Sequence, residues 1–182
     1  SFNDHPGTLV TQEDEDMEDI LVSGVTYSKN DARVTISHLP DKPGIASRVF
    51  NKIAEANFVV DMIIQNTRRD GRADITFTVP KADLKNTLDI IQPLVAELGG
   101  GTITSDEHIA KISIVGVGMR NNAGVAARMF SSLAAENINI MMISTSEIKV
   151  SCVIDEKYTE LAVRTLHDAF HLEQARPRKE LT

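Results

Sequence analysis

A short loop around residue 41 carries the residue types best suited to binding a small charged molecule. Asp41 stands three residues before Gly44, and the apolar spacing from Ile45 onward predicts a helix that begins there. The first N–H groups of a helix lack partners and its dipole is positive at that end, so a carboxylate can bind there. Asp41 can accept hydrogen bonds from an ammonium group, and Gly44 lets a ligand approach the backbone. The loop therefore predicts a site for a free α-amino acid, which carries both charges.

Two amide side chains follow the next predicted strand. Gln65 and Asn66 stand where the strand ends, and their amides can hydrogen-bond a hydroxyl or a backbone group of a ligand. A simpler interpretation stays open, in which Asp41 and Gly44 only shape a turn and cap a helix, and the amides only end a strand. The two interpretations differ in whether a ligand binds.

The loop and its helix occur twice in the chain. A shift of 80 positions aligns residues 44–66 with residues 124–146 without a gap, and eight of these 23 positions are identical. In the first copy the identical positions are Gly44, Ala46, Arg48, Phe50, Ala54, Asn57, Met62 and Ile63. Several other pairs exchange one apolar residue for another, such as Ile45 with Val125, Val49 with Met129 and Ile53 with Leu133, so both copies should pack in the same way. The sequence therefore predicts two homologous units.

The first unit changes its apolar period in a fixed order. The predicted elements are a strand, a helix closed by Asn57, two strands that form a hairpin, a second helix and a short last strand. After the opening strand Arg33–His38 and the helix from Gly44, they span Phe58–Gln65, Ala73–Val79, Lys81–Leu98 and Thr102–Ser105. Pro93 in the second helix predicts a kink or an early end. This order defines a ferredoxin-like βαββαβ unit of the α+β class.

The second unit lacks its last strand in sequence order. Its predicted elements are the strand 110–115, the helix 124–136, the strands 138–144 and 148–154 and the helix 155–170. The residues that follow are too polar for a central strand and contain a proline. One predicted strand, Ile20–Tyr27, precedes the first unit and is otherwise unassigned. We therefore expect the first unit, residues 30–106, to be inserted into the second, residues 20–29 plus 107–172.

The acidic charge of the chain is concentrated in one run. Of the 26 Asp and Glu residues, six lie between Glu13 and Asp19, and the other 20 nearly balance the 19 Lys and Arg residues. The body has no basic field for a phosphate backbone, so no nucleic-acid partner is expected. Residues 1–19 are interpreted as a linker region and residues 173–182 as a flexible tail. No apolar stretch approaches the roughly 18 residues that span a bilayer and no signal peptide opens the chain, which predicts a cytoplasmic location without membrane contact.

The sequence contains no complete metal, cofactor or catalytic motif. His167 and His171 lie four apart on the last predicted helix, but without a third ligand a charged helix C-terminus is favoured over a metal site. Cys152 lies in a predicted strand and is interpreted as a small buried apolar residue. No glycine-rich nucleotide motif and no cluster of nucleophile, base and oxyanion donor is visible. We expect no cofactor, and no catalysis by this chain alone.

Three segments carry a resemblance to a known family. LPDKPGIA at 39–46, VVDMIIQN at 59–66 and INIMMISTSEIKVS at 138–151 resemble the paired ACT regulatory domains of aspartate kinase. The likeness extends from Ile20 to Leu172, and SFNDHPGTLV at 1–10 resembles the end of that family's catalytic domain. The resemblance implies two ferredoxin-like ACT domains in tandem.

The resemblance also implies feedback control of aspartate kinase. In this family the ACT pair binds threonine, lysine or both and restrains a separate kinase domain that phosphorylates aspartate. The implied partners are the amino-acid effector, a second copy bound through the ACT domains, and the catalytic domain or full-length subunit. Two alternatives remain, namely an ACT pair that serves only as a dimerisation scaffold with dead pockets, and an enzyme with an unrecognised site.

The resemblance places the effector between two packed units, usually from different chains. One side would consist of Gly44, Ile45, Ala46 and Gln65, beside Asp41, and the other of Asn139 and Ile140. The repeat suggests a second effector site, in which Gly124, Val125 and Ala126 face a strand that includes Val59 and Val60. The second loop has Asn121 in the position of Asp41, and the loss of a carboxylate weakens ammonium binding. Binding is therefore assigned mainly to the first loop, and the second site is left open.

Overall fold

A computed structural model describes residues 22–117 and 123–172 as two antiparallel sheets, each covered by two helices. The chain enters through β1 (Val22–Ser28). The first unit then comprises β2 (Asp31–Pro40), α1 (Ile45–Glu55), β3 (Ile63–Thr67), β4 (Arg72–Pro80), α2 (Leu84–Glu97) and β5 (Thr102–Asp106). The second unit continues with β6 (Ile109–Gly116), α3 (Ala123–Ala135), β7 (Met142–Thr145), β8 (Lys149–Asp155) and α4 (Thr159–Ala169). The predicted α+β class is confirmed.

The connectivity of the sheets confirms the predicted insertion. The first sheet has the order β3-β4-β2-β5 and the second has the order β1-β6-β8-β7. Strand β1 pairs antiparallel with β6, with Val25 opposite Ile114. It thereby supplies the fourth strand of the second sheet. The first unit is consequently threaded into the chain between two neighbouring strands of the second sheet.

Alternating side chains place a separate core on the helix side of each sheet. In β2, Val34 and Ile36 are fully buried against α1 and α2, whereas the intervening residues are half-buried. Phe50 of α1 meets Phe77 of β4 edge-on, with ring centroids 5.5 Å apart. The second core repeats this plan with β6, β8, α3 and α4. Burying one face of each element against its neighbours supplies most of the driving force for folding.

Strands β3 and β7 begin later than the apolar pattern predicts. The expected starts at Phe58 and Ile138 are wrong, because the chain is still closing the preceding helix there. Asn57 and Asn137 adopt the left-handed conformation, with φ of 59° and 57°. The N–H groups of Phe58 and Ile138 then donate back to carbonyls in the last turns of α1 and α3. Phe58 and Val60 pack on the first core, and Ile138 and Ile140 on the second, from outside the strand ladders.

Helix α2 runs through Pro93 to Glu97, so the predicted early end is wrong. Proline lacks the N–H that would bond to the carbonyl of Asp89, four residues earlier. Both residues are exposed, so water can satisfy that carbonyl. Leu94 and Val95, directly after Pro93, are buried in the core and hold the last turn in place.

The two units pack through the sheet faces that lie opposite the helices. Met62 of the first unit joins Ile109, Met142 and Val153 of the second in a small buried cluster, with Ile64 and Met141 at its edge. Met62 and Met142 are equivalent in the repeat. Lys111 of β6 forms ion pairs with Asp31 and Asp61 of the first unit, and Lys81 pairs with Glu156 at 3.1 Å. The contact between units is therefore both apolar and ionic.

Of the helices within residues 22–117 and 123–172, none combines the length and the apolar character that crossing a membrane requires. The longest, α2, has 14 residues.

Cys152 is expected to be inert toward thiol reagents in the folded protein. Its side chain is fully buried in the second core, with Sγ 4.0 Å from Sδ of Met129. Burial raises the pKa of the thiol to about 12, so the reactive thiolate is scarce at neutral pH. Ellman's reagent at pH 8 should detect about one thiol in urea and close to none in buffer. Rapid stoichiometric reaction of the folded protein would contradict the buried placement.

Candidate amino-acid-binding site

The loop that carries Asp41 leaves the sheet beside a hairpin turn. Strand β2 pairs again with β4 at Leu39 and Pro40 after an irregularity in register. The N–H of Asp41 then donates to the carbonyl of Gly71 in the turn between β3 and β4, at 2.9 Å. The carboxylate of Asp41 is exposed. The backbone of the loop is thus held while its charged side chain is free to meet a ligand.

Gly44 sets the start of helix α1. It has φ 90° and ψ −11°, a left-handed conformation in which a side chain is disfavoured, and no side chain caps the helix. A Cβ added there would meet no atom within 4 Å, so the space in front of the helix is open. Glycine is therefore required here by its backbone conformation, in addition to any approach by a ligand.

Helix α1 offers the donors that the sequence predicts. The N–H of Ile45 donates to Lys42 O at 3.3 Å, and the N–H of Arg48 begins the helical ladder onto Gly44 O at 3.0 Å. Between them, the N–H groups of Ala46 and Ser47 meet no acceptor among residues 22–117 and 123–172. Two donors and the positive end of the helix dipole therefore face the open space.

Gln65, but not Asn66, lies on the same side of the sheet as α1. Gln65 is opposite Ile75, which belongs to the helix-side core, whereas Asn66 is opposite Asp74 on the other face. Strand β3 is at the edge of its sheet, and Gln65 is exposed there. Of the two amides that the sequence singles out, only Gln65 is placed to contact a ligand at the start of α1.

The opposite wall of the predicted site lies on the second unit. Asn139 is exposed and Ile140 packs on the second core, just before the edge strand β7. By contrast, Ile45 and Ala46 pack on the first core. The structure therefore brings Asp41, Gly44, Ile45 and Ala46 together at one helix end, and places Asn139 and Ile140 on the second unit.

The predicted second site is described only in part, because Asn121 and the rest of residues 118–122 lie outside the described ranges. Helix α3 begins at Ala123, so Gly124 lies within its first turn, whereas Gly44 precedes α1. Val125 is buried and Ala126 is half-buried on the second core. In the first unit, Val60 packs on the core and Val59 is 68% exposed. Val59 is the member of this set whose apolar side chain is free for contact.

A polar cluster beside the loop that carries Asp41 is not signalled by the sequence pattern. His38, Arg68, Arg72 and Asp74 meet there through side-chain and backbone hydrogen bonds. Asp74 lies 33 residues from Asp41 in sequence, and an aspartate in a strand resembles any exposed strand residue. The cluster becomes visible only once the register of β2 and β4 is known.

The last helix ends in a cationic contact. His171 has φ 51°, and its Nε2 lies 3.3 Å from the guanidinium of Arg128, which also stacks on Phe170. Within residues 22–117 and 123–172, no three His, Cys, Asp or Glu side chains converge in a way that could hold a metal ion.

Models of the ACT-domain family match residues 33–98 and 112–170, which correspond to the two units. The chain is a tandem pair of ACT domains. It is 54% identical over 174 residues to the aspartate kinase Ask_LysC of Stutzerimonas stutzeri, covering 95% of this chain and 42% of that enzyme. The chain thus spans less than half the length of such relatives.

Solved structures extend the comparison to whole chains. A chain from a structure of aspartokinase alpha and beta subunits is 52% identical with a TM-score of 0.78, and the match covers 83% of this chain and 99% of that one. The ligand-free regulatory subunit of aspartate kinase from Thermus thermophilus is 41% identical with a TM-score of 0.79, covering 82% and 99%. This chain belongs to the aspartate kinase family, as its ACT-domain regulatory region.

Proposed function

We propose that this chain is the amino-acid sensor of an aspartate kinase, and that it binds its effector at residues 41–46. The observation that carries the proposal is the exposed carboxylate of Asp41 beside two unpaired N–H groups at the start of α1. That pair of features complements the ammonium and carboxylate of a free amino acid. Threonine and lysine are the effectors that the family resemblance implies.

Each group of the site then has a role. The N–H groups of Ala46 and Ser47 bind the α-carboxylate, Asp41 binds the α-ammonium, and Gln65 contacts the ligand side chain. Asn139 and Ile140 of a second copy close the site from the other side. Val59 and Val60 would in turn face Gly124, Val125 and Ala126 of that copy, which forms the second site.

Exposed apolar residues on two sheet edges support this pairing of copies. Ile63 on β3 and Ile143 on β7 are equivalent in the repeat and are 52% and 43% exposed. Both strands end their sheets, so their edges are open to another chain. An effector held between two chains binds the dimer better than the monomer, and it stabilises the dimer by mass action.

Control of a kinase requires that the effector bind two states unequally. In this proposal the tight effector-bound dimer favours a less active kinase domain, which the described residues do not include. Residues 1–19 would connect to that domain and residues 173–182 would be a tail, with the two ACT domains between them. Phosphoryl transfer to aspartate would be carried out by the catalytic part of the enzyme. We propose a cytoplasmic location, as expected from the sequence.

Calorimetry and thermal shift with all proteinogenic amino acids test the proposal. Threonine, lysine or both should give heat and raise the melting temperature, and sedimentation should show more dimer with ligand. A chain that dimerises but gives no heat with any amino acid would be a scaffold. Turnover without a kinase domain would indicate an enzyme instead.

Asp41→Ala should weaken effector binding by about 1 to 3 kcal/mol, the scale of one hydrogen bond to a charged group. Folding should change little, because the side chain is exposed and alanine keeps the N–H that bonds to Gly71. Titration calorimetry measures the affinity, with Asp89→Ala on the exposed face of α2 as the matched control. Equal affinities of Asp41→Ala and the parent chain would remove Asp41 from the site.

A further inference from the structure

The strand that leads to the loop carrying Asp41 has a bulge shortly before its end, where Ser37 and His38 both lie opposite Asp74. Strand β2 pairs regularly with β4 as far as Ile36 opposite Ile75, and pairing resumes with Leu39 opposite Ala73. Between them His38 has φ 65°, a left-handed conformation that a residue with a Cβ rarely adopts. Such bulges turn a strand and re-aim the chain that follows. The direction in which the chain runs from Leu39 to Asp41 is therefore set at His38.

Side chains of β4 hold both backbone polar groups of His38. Its N–H donates to Oδ1 of Asp74 at 2.9 Å, and its carbonyl accepts from Nη1 of Arg72 at 3.1 Å. These two bonds replace the ladder bonds that the bulge gives up. A strained conformation persists only where its surroundings fix it, and here the fixing groups are two side chains.

Asp74 is itself held by Arg68. Nε and Nη2 of Arg68 donate to Oδ2 of Asp74 at 2.8 and 2.6 Å, and Nη1 lies 3.4 Å from Nε2 of His38. The hydrogen bond from His38 N–H lowers the pKa of Asp74, burial opposes that shift, and the hydrogen bond and charge of Arg68 lower it further. The side chain of Asp74 is only 19% exposed. The acceptor that faces His38 is therefore a carboxylate at neutral pH.

We infer that Asp74 is a positioning residue for the proposed effector loop, residues 41–46. By holding His38 in the left-handed conformation, it fixes the path of residues 39–41 and hence the placement of the Asp41 carboxylate relative to the N–H groups of α1. Asp74 touches no ligand in this role, since its strand position faces away from α1. The inference rests on the proposed function for its effect on binding, but its effect on the loop stands independently.

An ordinary stabilising ion pair would explain the same contacts, and His38→Gly separates the two explanations. Glycine adopts φ 65° without strain, so a chain with Gly at position 38 should hardly need Asp74 to keep the bulge. The His38 N–H is at an exposed position, where water can replace the carboxylate. If Asp74 only stabilised the fold in general, Asp74→Ala would cause the same loss in the parent chain and in His38→Gly.

The experiment compares Asp74→Ala, His38→Gly and their double variant with the parent chain. Hydrogen exchange of the Asp41 amide, which is bonded to Gly71, reports the loop without any ligand. We expect Asp74→Ala to speed that exchange about tenfold to a hundredfold, and to weaken binding of threonine or lysine about tenfold. Adding Asp74→Ala to His38→Gly should change either quantity less than about threefold.

Two further variants sharpen the result. Asp74→Asn keeps an acceptor for His38 N–H but loses the charge. Its exchange rate and its affinity for the amino acid should therefore lie between those of the parent and Asp74→Ala, whereas Asp89→Ala should match the parent. Equal losses from Asp74→Ala in both backgrounds, or no loss in either, would overturn the inference. A parent chain that binds no amino acid would refute the proposed function, and the exchange rates would still decide the role of Asp74.

Discussion

Replacing Lys111 by methionine is expected to lower the free energy of unfolding by about 3 kcal/mol, the low end of the range for breaking a buried ion pair. The ammonium of Lys111 lies between Asp31 and Asp61, and its side chain is 17% exposed. Asp61 is 45% exposed and can be hydrated once the lysine is gone. Asp31 is only 15% exposed, and its Oδ2 has no hydrogen-bond partner in the described chain beyond the ion pair at 3.3 Å. The cost therefore falls mainly on Asp31.

Urea unfolding followed by circular dichroism measures this loss. Adding Asp31→Asn to Lys111→Met should recover part of the stability, because it removes the charge that the first substitution leaves unpaired. Lys52→Met removes a lysine from an exposed pair with Glu55 and should leave stability unchanged within error. Additive losses from Asp31→Asn and Lys111→Met would show that the two charges do not interact.

The pH dependence of the same variant has a definite sign. Burial alone would lower the pKa of Lys111, but the hydrogen bond and charge of Asp61 and the charge of Asp31 outweigh burial and raise it above 10.5. A raised pKa gives stability that is present below the ordinary value and is lost as the pH rises through the folded-state value. The difference between the parent and Lys111→Met should therefore hold at neutral pH and shrink above pH 10.5.

The parts of the fold that sequence predicts well are those fixed by local chemistry. The repeat aligns two helices that end alike, and Asn57 and Asn137 close them in the same left-handed conformation. The polar composition of the C-terminal stretch argued against a strand there, which left the predicted strand Ile20–Tyr27, observed at Val22–Ser28, to complete the second sheet. The polar composition of the C-terminal stretch and the internal repeat were thus enough to predict the insertion of the first unit into the second.

The contacts that the sequence could not predict join residues on different strands, and they depend on which strands lie next to each other. Alternation in β2 shows which residues face the core, but it does not show that Asp74 lies beside His38, or that Lys111 of one unit reaches Asp31 of the other. Phe58 and Val60 satisfied a strand pattern, but they pack on the first core from outside the strand ladder. The spacing of apolar residues alone does not distinguish a side chain in a strand from one that packs on the core outside the sheet.

The candidate site divides in the same way. Asp41, Gly44 and the first N–H groups of α1 lie within a few residues of each other, so the spacing of the loop was sufficient to bring them together. Gln65 and Asn66 were equivalent in sequence, and only the pairing with Ile75 and Asp74 shows that they face opposite sides. Asn139 and Ile140 lie on the second unit, and in the proposed site they come from a second copy, which no spacing within one chain encodes.

Gly101→Ala is expected to lower the free energy of unfolding by about 3 to 5 kcal/mol, through overpacking and an unfavourable backbone conformation together. Gly101 has φ 155°, and an added Cβ would lie 2.9 Å from Ser37 O and 3.0 Å from Cγ1 of Val95. Ser37 O is backbone in a sheet and Val95 is buried in the core, so neither moves easily. To accept the added Cβ, β2 must move away from the segment that leads into β5, or the end of α2 must shift.

Gly100→Ala provides the matched control for this substitution. Gly100 also has a positive φ, of 91°, but an added Cβ would meet no atom within 4 Å. Gly100→Ala should therefore lower the free energy of unfolding only through the unfavourable backbone conformation, by about 1 to 2 kcal/mol. Because Ser37 precedes the bulge at His38, the displacement in Gly101→Ala should also speed hydrogen exchange at Asp41, whereas Gly100→Ala should leave that amide protected. Equal destabilisation by the two substitutions would mean that backbone conformation, and not the close approach to β2, is the reason for glycine at position 101.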